Sequence, residues 1–484
     1  MNYIPKFLKL DREFYLPLFI IIVFFFAYLT LVLVKHAHYW TGYDLSIENQ
    51  IVWGFNQLTV PTVTVHAYAF IPIFYDHVEF VYLLIAPFYW ILGDARMLLF
   101  LQVLAAILSG IPIFLLARKH KINFYLALSL LISYFMFFGV QNALWSDVHS
   151  SVFGLSFMAF FIYYLDTNRK WLSVLFFILS LTSKEDMGLL LFFISFIYFI
   201  KTRRKINLSF MLASVIYLFL IFFIYYPNFT LGYQYANAEG LISNINLFNF
   251  FNTQAKIDVF FYTLNSYGYL PLLNPLMLIP YIADLGHFFV LGNDTATSSH
   301  SIFQHYRFSS AILLIWPTIF VIEKFKKLNN KFFSLYILFF TALTTYMLHA
   351  PLTYLTKKWF WTKPSGIENI ELAIKTLPKD SYVATQTNIS PHISNRELIV
   401  TIWGDKRTFK EKSPCGKEDC EWFKWAGDPK YLFVDTSPEW NILHLLANRE
   451  DFIKGLENME KFGVIKKYKE FGSSTIYTIH KKPY

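Results

Sequence analysis

Long apolar runs that end in charged or histidine-bearing turns limit this chain to very few architectures. A helix crossing the hydrocarbon of a bilayer needs roughly 17–25 apolar residues. Stretches near 14–34, 97–117, 122–141, 150–165, 171–183, 187–200, 208–227, 308–322 and 332–350 approach or meet that length. Two further runs, 79–92 and 269–291, are broken by Pro87 and by Pro271, Pro275 and Pro280. Proline removes a backbone donor and clashes with the preceding turn, so these two read as interfacial or re-entrant, buried by surrounding protein. The expectation is an all-α polytopic membrane bundle of about 9–11 spans, with interfacial or re-entrant helices.

Composition agrees. The 484 residues are 55% hydrophobic and only 15% charged, where a soluble domain carries about 25% charge. The formal charge of +9 fits basic loops beside anionic lipid and gives no reason to expect a nucleic-acid partner. Residues 14–34 follow Lys6, Lys9 and Arg12. The segment is too long for a typical signal peptide and lacks a small-residue cleavage site, so it reads as a retained first span.

Basic loops set the orientation. RKHK at 118–121, NRK at 168–170, KTRRK at 201–205 and EKFKKLNNK at 323–331 can share the cytoplasmic side with the N-terminus. This requires that 79–92 does not cross and that 228–307 adds no net crossing. The alternative lets 79–92 cross and places RKHK outside. After Pro351 the composition changes. A polytopic domain over 1–350 gives way, through a juxtamembrane linker at 351–363, to a soluble extracytoplasmic domain over 364–484. Strand-like Tyr382–Thr385, Leu398–Thr401, Tyr431–Val434 and Thr475–Ile479 mix there with helix-like Ile367–Leu377 and Asn441–Phe462, as in a small α/β or α+β domain. Cys415 and Cys420 fit a local disulfide in an oxidising compartment, or two free surface thiols.

Ionisable groups at membrane depth are costly and mark functional candidates. Asp44 and Glu48 lie four apart, on one face of a helix, as a general base with its partner or as ligands for a cation such as magnesium or manganese. His77 and Glu79 open the 79–92 segment; Asp147 and His149 sit between two apolar helices; Lys184, Glu185 and Asp186 form a charged hairpin; Gln304, His305, Tyr306 and Arg307 precede another span. Arginine and lysine suit a phosphate, and histidine titrates near neutrality. Each cluster also has a plainer reading, as helix cap, solvated turn or interfacial anchor. P-loop, GxGxxG, HExxH and GxSxG patterns are absent.

The strings YDLSIENQIVW, HVEFVYLLIAPFYWIL, DVHSS, LTSKEDMGLLL, GYLPLLNPLMLIPYIADL, QHY and QTNISPHISNRELI resemble, in order, the bacterial and archaeal membrane family termed domain of unknown function 2079. Here Glu48 stands where that family usually has Asp, and DVHS where it has a DFHP-like string. The family in turn resembles the GT-C superfamily of polytopic glycosyltransferases, which use lipid-phosphate-linked sugars at the outer membrane face. That resemblance implies Asp44 as catalytic base, with Glu48 its partner. It implies a polyprenyl-phosphate sugar donor and a glycan, lipid or protein acceptor. Nothing in the residues requires a cofactor, and a divalent cation, magnesium or manganese, is compatible with them. The remaining clustered residues would hold the donor phosphate and shape the pocket. A transporter or flippase of a lipid-linked or anionic substrate, using the same charges as a relay, is the alternative.

Overall fold

In hydrocarbon a backbone must satisfy its own hydrogen bonds, so unbroken apolar sequence folds as helix. The computed structural model describes residues 12–66, 70–229, 246–290, 301–406, 415, 420–442 and 445–482. In chain order the first helices are α1 (Arg12–Ala37), α2 (Tyr43–Asn56), α3 (Val81–Ile85), α4 (Ala95–Leu108), α5 (Gly110–Lys119), α6 (Phe124–Met136), α7 (Phe138–Trp145) and α8 (Ser150–Asp166). There follow α9 (Lys170–Leu181), α10 (Met187–Thr202), α11 (Lys205–Phe219), α12 (Tyr226–Phe229), α13 (Gln254–Asn265), α14 (Ile279–Phe289), α15 (Phe308–Lys324) and α16 (Lys331–Met347). The chain divides into two units. A helical unit takes Phe74–Val81, Leu99–Lys357 and the chain up to Val32; a mixed unit takes Leu33–Ile73, Tyr82–Leu98 and Lys358–Tyr484.

Among the described residues, five helical stretches are long and apolar enough to cross a membrane: Glu13–Ala37, Ala95–Lys119, Phe124–Trp145, Lys205–Phe229 and His305–Lys324. Six shorter apolar helices accompany them. The stretch expected at 122–141 runs on to Trp145 but breaks at Phe137, whose ψ of 128° is extended. The 79–92 run folds as α3 and a 3-10 turn at Ala86–Trp90, with Pro87 in its first positions, too short to span. Residues 269–291 likewise form 3-10 turns at Leu270–Leu273 and Pro275–Leu278 before α14.

Within the helical unit α15 is the axis. Every residue from Phe308 to Ile322 is buried, as expected of a helix apolar on all sides at the centre of a bundle. The basic loops gather at one end. Arg118 bonds Glu13 at 3.0 Å, and His120 lies 2.8 Å from both Asp166 and Glu323. Lys119 also pairs with Asp166. The Lys201 ammonium sits 3.3 Å over the Phe320 ring.

In the mixed unit a five-stranded sheet has the order β4-β3-β7-β9-β8. Its strands are β3 (Val383–Thr385), β4 (Ile399–Thr401), β7 (Tyr431–Asp435), β8 (Ile465–Phe471) and β9 (Ser474–Ile479); short pairs β1 (Thr62–Val63) with β2 (Ile71–Pro72) and β5 (Trp403–Gly404) with β6 (Phe423–Lys424) complete the set. β3 is parallel to β4 and β7, whereas β9 is antiparallel to β7 and β8. Helices α17 (Lys358–Trp361), α18 (Ile367–Thr376) and α19 (Arg449–Lys461) complete it. The helix expected over Asn441–Phe462 begins only at Arg449, because Asn448 caps it by accepting from the Asp451 amide. Cys415 and Cys420 are joined in a disulfide.

Candidate functional site

Each unit carries its own polar constellation. In the helical unit the segment before α3 is tied to the hairpin between α9 and α10. The Val81 amide donates to the Thr182 carbonyl at 2.8 Å, and the Val78 amide to Glu185 Oε2 at 3.2 Å. This sets His77 Nδ1 at 2.8 Å from Glu185 Oε1, with Asp76 Oδ1 at 3.4 Å from Nε2. Glu79 Oε1 accepts from the Ser150 hydroxyl at 2.5 Å, at the first turn of α8.

The turn between α7 and α8 is built by Gln102, a buried amide on α4. It donates to the Asp147 carbonyl and accepts from the His149 amide, both at 2.7 Å. Asp147 adopts a left-handed φ of 71°. His149 donates from Nε2 to the Ser146 carbonyl at 2.7 Å, and its ring stacks on His305 at 3.5 Å between centroids. Gln304 leads into the 3-10 turn His305–Arg307 in extended backbone. Tyr306 packs on His305 and on Phe288 at 5.0 Å. Arg307 is fully buried, with Phe288 at 5.5 Å and Phe289 at 5.9 Å from its guanidinium carbon. Gly139 on α7 lets the Arg307 backbone approach: a Cβ there would lie 2.2 Å from the Arg307 carbonyl oxygen.

These side chains form one electrostatic cluster. His149, Lys184, Arg307 and His77 act on His305, while Lys184, Glu185, His287 and Asp284 act on Asp186. Burial and the Lys184 cation push the His77 imidazole down, but Glu185 and Asp76 prevail and hold it up at about 9. Burial works against the Glu185 anion; His77 and Lys184 outweigh it and hold the carboxyl down at about 2. Burial pushes the Glu79 and Asp186 carboxyls up. At neutral pH His77 is therefore cationic and paired with the Glu185 anion, in one cluster with Lys184 and buried Arg307.

The structure thus brings His77, Glu79, Asp147, His149, Lys184, Glu185, Asp186, His305, Tyr306 and Arg307 together in the helical unit. Sequence reading missed Gln102, Ser150, Asp284 and His287 as members. Asp284 is buried, accepts from the Ser309 hydroxyl at 2.6 Å and takes the His287 ring at its carbonyl, 3.0 Å away. An acid and a histidine inside the apolar run IPYIADLGHFF were a readable signal. Among the described residues no three His, Cys, Asp or Glu side chains are arranged to hold a metal ion.

Asp44 and Glu48 belong to the mixed unit. Gly42 occupies the cap position of α2 and Asp44 lies in its first turn, so Asp44 is not the cap. Asp44 is exposed and Glu48 buried. The opposite side of α2 is fixed to the tail. Ser46 bonds Ser390 at 2.5 Å, and Asn49 Nδ2 donates to Ser394 Oγ at 2.7 Å and also bonds Asn395. Gln50 donates to the carbonyls of Arg396 and Glu397 at 3.2 and 3.0 Å. Asn49 Oδ1 accepts from the Tyr89 hydroxyl at 2.7 Å. Nearby, the His392 ring is sandwiched between His36 at 4.1 Å and Tyr39 at 3.7 Å. Asp94 and Arg96 form a bidentate pair, 2.9 and 2.6 Å. A cleft of about 390 Å³ flanks α2 between Trp53, Phe70 and Arg396, and neither acid lines it.

A bundle of apolar helices with charged clusters at its turns, in one chain with a small mixed-sheet unit, defines a polytopic membrane protein. The chain belongs to the family described as predicted membrane protein (DUF2079), whose model matches residues 35–423. Its fold is similar to that of ArnT from Cupriavidus metallidurans, solved bound to undecaprenyl phosphate. The TM-score is 0.50 at 10% identity, over 94% of this chain and 97% of that one. The archaeal oligosaccharyltransferase AglB from Archaeoglobus fulgidus, solved with an inhibitory peptide and a dolichol-phosphate, aligns at 0.46 and 12% identity over 96% of this chain and 74% of that one. That score is below the level at which a shared fold is argued. No curated protein matches the chain.

Proposed function

We propose that this protein is a membrane glycosyltransferase that moves a sugar from a polyprenyl-phosphate donor to an extracytoplasmic acceptor. The observation that carries the reading is the polar cluster of half-buried His77 and Lys184 with fully buried Arg307, in a bundle whose fold resembles ArnT. Arginine and lysine bind phosphate through charge-assisted hydrogen bonds, and a histidine held cationic adds to them, which suits the phosphate of a lipid carrier. Glu79, Asp147, His149, Glu185, Asp186, Gln304, His305 and Tyr306 shape that pocket.

In this scheme the acceptor hydroxyl gives its proton to the Asp44 carboxylate as its oxygen bonds to the anomeric carbon. The bond from that carbon to the phosphate oxygen breaks, and its electron pair leaves on the phosphate. Asp44 is exposed and Glu48, one turn on in α2, is buried; in this reading Asp44 is the base and Glu48 its partner. The cationic side chains stabilise the leaving phosphate, so neither magnesium nor manganese is needed for the balance, and transfer should survive chelation.

Orientation follows the basic end of the bundle: N-terminus and basic loops cytoplasmic, tail extracytoplasmic. A disulfide in the tail supports that side. The donor assignment is tested by native mass spectrometry of the purified protein with undecaprenyl phosphate and, as control, an anionic phospholipid. Preferential retention of the polyprenyl phosphate, weakened in Lys184→Ala, is expected. Equal retention of both lipids by both proteins would contradict it.

A further inference from the structure

Three pieces of the mixed unit wall the cleft beside α2, and a single buried amide ties them together. Gln50, Trp53 and Gln57 recur at helical spacing along α2 and its C-terminal cap. The chain then turns back on the helix: the Thr59 amide and hydroxyl both donate to the Gly54 carbonyl, at 3.1 and 2.9 Å. A Cβ on Gly54 would lie 2.9 Å from Pro61, so glycine lets this turn close on α2. Gln50 reaches the other two walls. It accepts from the Thr64 amide at 2.8 Å and donates to the Thr64 hydroxyl at 2.8 Å and to the carbonyls of Arg396 and Glu397. Phe70 adds an aromatic side chain that is 41% exposed.

The walls consume Gln50 and Thr64 but leave other polar groups of the lining unused. Arg396 is 8% exposed and spends Nε on the Ile393 carbonyl at 2.7 Å and Nη1 on the Ser381 carbonyl at 3.0 Å. Among the described residues its Nη2, the Trp53 indole N–H, the Thr62 hydroxyl and the Glu397 carboxylate have no hydrogen-bond partner. None of the four is sealed from solvent: Thr62 and Glu397 are exposed, and neither Nη2 nor the indole nitrogen is a buried atom. All four residues line the same space of about 390 Å³, within the roughly 300–1,000 Å³ of ligand pockets.

We infer that this cleft binds a neutral saccharide, with Arg396 and Trp53 donating to its oxygens and Glu397 accepting from a hydroxyl. Arg396 and Glu397 are the charged side chains of the lining. Their formal charges cancel, so the cleft has no net charge to draw an anion or a cation. A hydroxyl both donates and accepts, so one polyhydroxylated ligand satisfies guanidinium, indole, threonine and carboxylate together. A pyranose ring with equatorial hydroxyls also has apolar C–H faces, and Trp53 and Phe70 supply aromatic surface to meet them. Neither Asp44 nor Glu48 lines the cleft. It begins at Gln50, roughly 9 Å along α2 from Asp44 at the α-helical rise, so it holds the acceptor beside the base and not at it. The site therefore names the acceptor class, a neutral oligosaccharide long enough to reach from the cleft to Asp44, and in that respect rests on the transferase reading.

The test is binding without turnover. Full-length protein in nanodiscs is titrated by saturation-transfer-difference NMR with glucose, galactose, mannose, N-acetylglucosamine and their β-linked disaccharides. Inorganic phosphate, acetate and a tetra-alanine peptide serve as competitors. A saccharide signal is expected that none of the three displaces. Phe70→Ala and Glu397→Ala, both at exposed positions, should each weaken binding roughly threefold to tenfold with unchanged melting temperatures, as loss of one aromatic or hydrogen-bonding partner does. Trp53→Phe, which keeps a ring and removes the N–H, should weaken it as well. Absence of any saccharide signal, displacement by phosphate, acetate or peptide, or variants that all bind as wild type would overturn the site. Saccharide binding, weakened in these variants, by a protein that transfers no sugar would leave the site standing and remove the transferase reading. Sugar transfer whose acceptor KM is the same in wild type and Phe70→Ala, with no saccharide bound, would do the reverse.

Discussion

At the scale of single residues, Asp44 and His77 do different kinds of work in the proposed transfer. If Asp44 is the base, Asp44→Asn keeps the shape of the side chain but cannot take a proton. Transfer should then fall roughly 10²–10⁴-fold, while polyprenyl-phosphate retention changes little, because the cations proposed to hold it lie on other side chains. A variant with near wild-type turnover would move the role to another carboxylate. His77 makes a pH prediction. Its folded value, about 9, lies above the ordinary 6.5, so its pairing with Glu185 stabilises the fold fully below pH 6.5 and loses that effect as pH rises through 9. Glu185, held down at about 2, stays ionised across that range. The melting-temperature gap between wild type and Glu185→Gln should accordingly narrow from pH 6.5 to 9. A gap that stays constant would mean that the pair does not titrate there.

At the scale of elements, the close approach of α7 to the His305–Arg307 turn depends on Gly139. Gly139→Ala places a methyl 2.2 Å from the Arg307 carbonyl oxygen and 2.6 Å from the Phe137 ring, so one of them must shift. Overpacking of this kind costs about 1–3 kcal/mol, and retention of polyprenyl phosphate should weaken with it. A stable variant with normal retention would show that Arg307 is not placed by this contact. Helices with strong apolar runs, such as α1 and α15, were legible in the sequence, because length and hydropathy alone decide them. The break at Phe137 was not: Gly139 follows two residues later, but a lone glycine in an apolar run does not by itself end a helix. The helix at Arg449 started late because Asn448, one polar residue inside a helix-like run, supplied the cap. Charged turns in the helical unit were readable from the cost of burying ions. Gln102 was not, because a lone amide in LFLQVL carries no charge to betray the turn it holds. The grouping of α2 with the tail was also hidden, since Ser46, Asn49 and Gln50 meet partners over 330 residues away in sequence, and only the fold brings them together.

At the scale of the whole molecule, orientation is the testable consequence of charge. The loops around Arg118, His120 and Lys201 share one end of the helical unit through their contacts with Glu13, Asp166, Glu323 and Phe320, and positive loops favour the cytoplasm. Single cysteines placed at Lys326 and at Lys481, in a background with Cys415 and Cys420 replaced by Ser, should label oppositely in intact cells. Lys481→Cys should react with an impermeant maleimide from outside, and Lys326→Cys only after permeabilisation. The reverse pattern would place the tail in the cytoplasm and remove it from an extracytoplasmic reaction.

Sugar transfer can be measured directly. Purified protein in liposomes is supplied with a polyprenyl-phosphate sugar labelled in the sugar, in EDTA, with candidate glycan, lipid and peptide acceptors on the same face. Label in an acceptor and stoichiometric release of polyprenyl phosphate are expected from wild type. Both should be lost together in Asp44→Asn. Label that crosses the bilayer while remaining on its lipid would contradict the claim and identify a flippase in its place.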